Sequence, residues 1–311
     1  MTSDDRTQTK RPTIVARLMG GLGNQLFIYA AARALALRNN AVLRFDLVSG
    51  FERDFYKQRN QLGHFDARVT PAVRHECMAG LAGRLRRKWN LKRNRNRPAA
   101  RRDYVTDPIY HFSQEVCSSP VTRNIYLDGF WESWRYFADC EDQIRHNLRM
   151  EDPTEPENIS LAEEIDACDA ICIHGRRLKG VANSPSAKPR EVQPQISAQY
   201  YERAIASLAA DLRNPKVFCF ADYADWWQSN LRIDVPAKFV GHNRGDHNSW
   251  KDLWLMRRCR RFAIATSTFS WWAAWLSDAA DKRVIYPEPT AWKWIRNADM
   301  MPPEWEMMEA S

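Results

Sequence analysis

The chain has 311 residues, 44% of them apolar and 27% charged, with 13 tryptophans and 12 glycines. That composition supports sizeable cores and excludes disordered, collagen-like and low-complexity classes; at about 100–200 residues per domain it predicts two domains. The net charge of +8 is local: residues 84–102 hold ten Lys or Arg and no acid, and without them the chain sums to −2.

In chain order, residues 1–10 are polar and of mixed charge, with no apolar segment of signal-peptide kind behind them. Thr13–Leu18 reads as a buried strand. Gly20-Gly21-Leu22-Gly23-Asn24-Gln25 follows as a glycine-rich turn, and Leu26, Phe27, Ala30, Ala31, Ala34, Leu35 and Leu37 recur at helical spacing up to Asn39-Asn40. With a strand at Ala41–Asp46, this is a β–loop–α–β unit, the opening of a parallel α/β domain. The glycine spacing is neither GxGxxG nor a Walker loop. The turn reads as a close backbone approach to a ligand, with Asn24 and Gln25 offering amide groups, or else as a packing turn.

Residues 50–150 are less periodic. Arg84–Leu91 has the make-up of one or two helical turns with Leu85, Trp89 and Leu91 as apolar contacts, while Asn94, Asn96 and Pro98 disfavour helix beyond. Three readings of residues 84–102 stay open, in this order. The first is a solvated surface loop. The second is contact with anionic lipid headgroups, where each basic residue contributes about 1 kcal/mol. The third is binding of nucleic acid phosphates, which no RNA or DNA module in the sequence supports. An aromatic stretch runs from Ile125 to Phe137, and the polar Asp152–Glu157 marks a boundary between residues 1–150 and 151–311.

The second half alternates more clearly. Strands are expected at Ala170–His174, Val217–Ala221, Lys238–Val240, Arg261–Ala265 and Arg283–Tyr286. Helices are expected at Ala198–Leu212, Tyr223–Asn230, Ser249–Arg258 and Phe269–Leu276. This pattern predicts a doubly wound parallel sheet, whose ligands sit outside the carboxyl ends of the strands. One such end is His174-Gly175-Arg176-Arg177, where a guanidinium fork suits phosphate oxygens and His174 a base or ribose. Another is Thr266-Ser267-Thr268-Phe269-Ser270, whose hydroxyls would cap a helix with free N–H groups for an anion. The third, Phe220-Ala221-Asp222, ends on an acid that suits a ribose or a base. Read singly, these are also a surface arginine pair, a plain cap and a turn aspartate.

The seven cysteines (Cys77, Cys117, Cys140, Cys168, Cys172, Cys219 and Cys259) are scattered without a CxxC pair, and read as free thiols rather than a metal site. No run of apolar residues is long enough to span a bilayer; the longest, Phe262–Leu276, is short and interrupted by hydroxyls. These features predict a cytoplasmic protein, peripheral at the inner face of the membrane if residues 84–102 bind lipid. No DxD triplet occurs, so charge on a leaving diphosphate would fall to arginine and backbone donors. That is the chemistry of a metal-independent nucleotide-sugar transferase.

Gly20-Gly21-Leu22-Gly23-Asn24-Gln25-Leu26-Phe27 with Tyr29-Ala30 resembles the N-terminal signature of the α-1,2-fucosyltransferases of glycosyltransferase family 11. Ser267-Thr268-Phe269-Ser270-Trp271-Trp272-Ala273-Ala274-Trp275-Leu276 resembles that family's C-terminal signature. Leu127–Ser133 with Tyr136-Phe137, Tyr200-Tyr201 and Phe218–Asp222 also fit, so the resemblance spans about residues 13 to 290 in order. It implies an α/β fold of GT-B type: two Rossmann-like domains with parallel sheets, acceptor-side over 1–150 and nucleotide-sugar-binding over 151–311. It implies inverting transfer from GDP-β-L-fucose to a galactoside hydroxyl, in α-1,2 linkage, with no metal and no cofactor. The partners implied are the nucleotide sugar and an oligosaccharide or glycolipid acceptor. On this resemblance Arg176 lies on the diphosphate as a catalytic residue with Arg177 beside it, and His174 and Asp222 lie near guanosine. Ser267, Thr268, Phe269 and Ser270 line the phosphates and fucose. Asn24 lies at the transfer centre, with Gly21, Gly23 and Gln25 at the cleft. One position departs from the family pattern HxRRxD: the acid is Lys179. The departure leaves open a different GDP-sugar, a different acceptor or a weakened enzyme, and no general base is identified.

Overall fold

Strand β1 (Thr13–Arg17) has its three central residues buried, as a strand covered on both faces requires. The computed structural model describes residues 11–54, 57–108, 111–175, 196–221, 224–288 and 299–310. Helix α1 (Leu22–Arg38) leads from β1 to β2 (Val42–Asp46), which pairs parallel with it. Residues on every side of α1 are buried, the mark of a helix inside the core. The basic segment follows as α2 (Gly80–Asn94), and β3 (Tyr104–Thr106) and β4 (Ile125–Asp128) complete a four-stranded parallel sheet of order β2-β1-β4-β3.

The basic segment is thus a helix with a 3₁₀ turn at Ala99–Arg101, not the solvated loop expected first. Leucine, alanine, arginine and lysine are good helix formers. Asn94, which reads as a breaker, is buried on the inward face together with Asn90. There Asn94 Nδ2 donates to Asn90 O (3.0 Å) and Asn94 Oδ1 accepts from Asp103 N (3.3 Å).

Short helices α3 (Gln114–Ser118), α4 (Glu141–Asn147) and α5 (Pro156–Asp166) cross to the second half. The proline-containing stretch expected as a boundary starts α5, with Pro156 in its first turn, where a missing N–H costs nothing. The second sheet comprises β5 (Asp169–Gly175), β6 (Pro215–Ala221), β7 (Ala237–Val240), β8 (Arg261–Ala263), β9 (Arg283–Pro287) and β10 (Glu306–Met308). All its pairs are parallel, in the order β10-β9-β8-β5-β6-β7. Counted from β5, that is the 3-2-1-4-5-6 order of dinucleotide-binding sheets read from the other edge. Helices α6 (Ala198–Ala209), α7 (Ala224–Asn230), α8 (Ser249–Met256) and α9 (Thr268–Leu276) complete it. The seven cysteines are free.

The core does not stop between the sheets. Phe27 of α1, Phe137, and Trp271, Trp272 and Trp275 of α9 form one buried aromatic cluster. Ring centroids lie 4.6 Å apart for Phe27–Trp271, 5.0 Å for Phe27–Trp272 and 5.6 Å for the stacked Phe137–Trp272. The C-terminal segment returns to the first half, where Ser133 Oγ donates to Asp299 O (2.7 Å) and Arg135 pairs with Asp299 (2.8 Å).

Candidate active site between the two sheets

In an open parallel sheet the crevice lies at the carboxyl ends of the strands where the strand order reverses. In the first sheet that point is between β1 and β4, so the glycine turn after β1 and the loop Gly129–Ser133 after β4 line it. In the second it is between β5 and β8, which brings His174-Gly175 beside Ile264–Ser267. The two edges meet. Gly23 packs so closely on α9 that a Cβ would stand 2.6 Å from Phe269 N and from Thr268 Oγ1. Thr268 Oγ1 donates to Asn24 Oδ1 at 2.7 Å. Two signatures separated by some 240 positions are therefore one structure.

Both helices open onto this junction with their N-termini. The α1 cap is Gly21, which has no side chain to offer, and the α9 cap is Ser267, whose Oγ accepts from Phe269 N (3.3 Å). Neither helix has an acid in its first turn. Neither first turn thus supplies the carboxylate that commonly meets the positive end of a helix dipole, an arrangement suited to an anion.

His174 joins the same group, its ring 5.4 Å from that of Phe269. Its carbonyl accepts from Tyr201 OH (3.0 Å), while Tyr200 OH reaches Ile264 O (3.0 Å) and Ile285 O (3.1 Å). The Tyr200-Tyr201 pair thereby ties down the ends of β5, β8 and β9. Gly175 is needed because a Cβ there would meet the Trp227 ring at 2.3 Å.

Two expected site residues stand behind the crevice. Gln25 is fully buried: Nε2 donates to Gly20 O (2.8 Å) and Arg59 O (2.7 Å), and Oε1 accepts from Gln61 N (2.9 Å). Its amide therefore holds the glycine turn in place. Ser270 is also buried, and its hydroxyl turns back to Ser267 O (3.1 Å). Arg176, Arg177, Lys179 and Asp222 lie outside the described residues.

Two carboxylates not expected from the sequence stand at the first-sheet edge. Gly129 packs on Asp107 (a Cβ would lie 2.1 Å from Asp107 Cβ), and Asp107 Oδ2 accepts from Trp131 N (2.8 Å). Trp131 has φ +58°, an uncommon conformation for a bulky residue. Phe130 beside it is 38% exposed and lies against the Gly20 turn. Next comes Glu132, whose carboxyl is pushed up to about 7, first by burial and then by the charge of Asp107. Burial raises Asp107 as well. Beneath them Asp128 accepts from Arg17 (3.1 Å), Arg87 (2.8 Å) and Tyr104 OH. The available signal was a glutamate inside an aromatic run, which becomes legible only once β4 is placed before it.

The family model of glycosyl transferase family 11 matches residues 100–309. The chain belongs to glycosyl transferase family 11. It is 26% identical over 309 residues to an alpha-1,2-colitosyltransferase of Escherichia coli, covering 95% of this chain and 99% of that protein. It is 24% identical over 295 residues to the O-antigen biosynthesis glycosyltransferase WbnK of Escherichia coli, covering 89% and 93%. Among solved structures, NodZ alpha-1,6-fucosyltransferase soaked with GDP-fucose aligns with a TM-score of 0.57 at 19% identity, over 91% of this chain and 97% of that one. The selenomethionine form of NodZ from Bradyrhizobium gives 0.55 at 19%, over 91% and 96%. The likeness to NodZ is one of fold, two parallel sheets in GT-B arrangement. This family 11 member is a fucosyltransferase-like glycosyltransferase.

Proposed function

We propose that the enzyme transfers L-fucose from GDP-β-L-fucose to a galactoside hydroxyl with inversion, forming an α-1,2 linkage in surface glycan synthesis. The observation that carries this reading is the Asn24–Thr268 junction, where both family signatures and two helix N-termini without acids converge. The C-terminal half, residues 151–311, would hold the donor and residues 1–150 the acceptor. Arg176, with Arg177 and the α9 N-terminus, would meet the diphosphate; His174 and Asp222 would meet guanosine. As the bond from C1 to the β-phosphate oxygen breaks, negative charge grows on the leaving GDP. Donors fixed in advance stabilise that charge more in the transition state than in the ground state. The acceptor oxygen bonds to C1 from the opposite face, and its proton passes to a carboxylate. The candidate for that role is Glu132, next to Trp131 in the loop after β4; burial and the charge of Asp107 push its carboxyl up to about 7.

A second reading is favoured by Lys179 and by the alpha-1,2-colitosyltransferase relative: a related GDP-sugar as donor. Colitose lacks one ring hydroxyl of fucose, and a site built to bond a hydroxyl rejects the analogue without it by about 10⁴-fold or more. The test is acceptor-dependent GDP release in EDTA with GDP-fucose and other GDP-sugars over β-galactoside acceptors. Release from GDP-fucose supports the first reading, and release only from another GDP-sugar supports the second. GDP binding with no release from any donor would mark a weakened site, and Lys179→Asp would then be the restoring variant.

A further inference from the structure

Helix α2 is anchored through one face. Arg87 reaches Asp128 (2.8 Å) near the carboxyl edge of the first sheet, and Arg93 pairs with Asp103 just before β3. Gly83, Asn90 and Asn94 are buried on that side. At 3.6 residues per turn, Leu81, Leu85 and Trp89 therefore fall in one stripe on the opposite face. They are 67%, 59% and 58% exposed, while 44% of the chain as a whole is apolar and mostly inside. Arg84, Lys88, Lys92 and Arg95 line one border of the stripe and Arg86 the other, and no acid occurs from Arg84 to Arg102.

A stripe of leucine and tryptophan bordered by cations is the composition of a helix that lies in the plane of a membrane interface. No helix among the described residues is long and apolar enough to cross a membrane. Nucleic acid phosphates would use the cations but leave three large apolar side chains in water. We infer that α2 docks the enzyme on an anionic lipid surface, with Leu81, Leu85 and Trp89 entering the headgroup boundary and Arg84, Lys88 and Lys92 meeting lipid phosphates. The N-terminal end of the helix lies at the carboxyl edge of the first sheet, where Gly80 N donates to Glu52 (2.8 Å). Docking by this face therefore holds the crevice close to the bilayer, within reach of a lipid-borne acceptor.

The test is flotation of the full chain with vesicles of phosphatidylglycerol in phosphatidylcholine, against phosphatidylcholine alone. Flotation is expected only with the anionic vesicles, and its absence there overturns the inference. Combined Arg84→Gln, Lys88→Gln and Lys92→Gln should lower partitioning by about a hundredfold, at about fivefold per charge near the surface. Combined Leu81→Ser, Leu85→Ser and Trp89→Ser should lower it by about tenfold or more. Unchanged binding of the serine variant would reduce the face to a polyanion patch and overturn the insertion. Acyl-brominated lipid gives a readout that needs only one conservative variant: it should quench the parent's tryptophan fluorescence and quench Trp89→Phe less. Equal quenching of the two would also overturn the proposal. Both multiple variants should keep the parent's circular dichroism and its transfer to a soluble acceptor.

Discussion

The two sheet edges that face each other are chemically opposite. The second-sheet edge presents hydroxyls, an imidazole and a helix N-terminus, and the arginine pair of the sequence follows its first strand. The first-sheet edge presents Asp107 and Glu132 around a backbone held in an uncommon conformation at Trp131. On the proposed reading, one edge meets negative charge and the other takes up a proton. The contrast teaches that a transfer between an anionic leaving group and a neutral hydroxyl can be divided between two halves of a molecule, with Asn24 and Thr268 at the seam.

Removing the proposed proton acceptor is the sharpest way to break that contrast. Glu132→Gln should lower kcat by about 10²–10⁴-fold if the carboxylate is the base, and should abolish the rise of kcat/KM as pH passes through about 7. Stability moves the other way. The folded state holds this proton up to about 7 and the unfolded state only to about 4.5, so the parent loses stability as pH rises across that window. Glu132→Gln should flatten the decline, which denaturation at a series of pH values reads directly. A flattened stability profile with unchanged kcat would leave Glu132 a structural acid.

For the proposed diphosphate contact, Arg176→Ala should cost about 10²–10³-fold in turnover, the loss typical of one preorganised donor. Near-normal turnover would remove Arg176 from the diphosphate. Gly23→Ala puts a methyl where backbone and side chain of α9 already stand at 2.6 Å. It should destabilise by about 1–3 kcal/mol, seen as a lower Tm together with a lower kcat. Thr268→Val removes the bond to Asn24 and should cost about 1 kcal/mol. If it instead raised KM for the donor alone, the hydroxyl would be contacting substrate rather than aligning Asn24.

Much of the alternation was legible because it rests on local signals. The β1–α1–β2 unit and the strands and helices of the second sheet lie within a few residues of their expected ends, the precision such boundaries allow. Helix α2 was legible only as one or two turns over Arg84–Leu91, because Asn94 discourages a helix in isolation and is satisfied only by the face it packs against. Strand β10 is three residues long and is defined by its pairing with β9, which no local pattern encodes. At the site, the glycine turn and the Ser267–Ser270 run stood out by composition. That Gln25 faces inward depends on Arg59 and Gln61, dozens of positions away. Glu132 was hidden for the same reason, since its character comes from Asp107 and from burial rather than from its neighbours in sequence.

The aromatic cluster that joins α1 to α9 also bears on how this enzyme can move. Domains joined through a small polar contact swing freely, but a large apolar contact removes that freedom. Here Phe27, Phe137, Trp271 and Trp272 interlock directly behind the crevice and all four are fully buried. A hinge at that point would have to pull stacked rings apart and wet them. Adjustment to a bound substrate is then expected in the loops at the crevice mouth rather than in the floor beneath them.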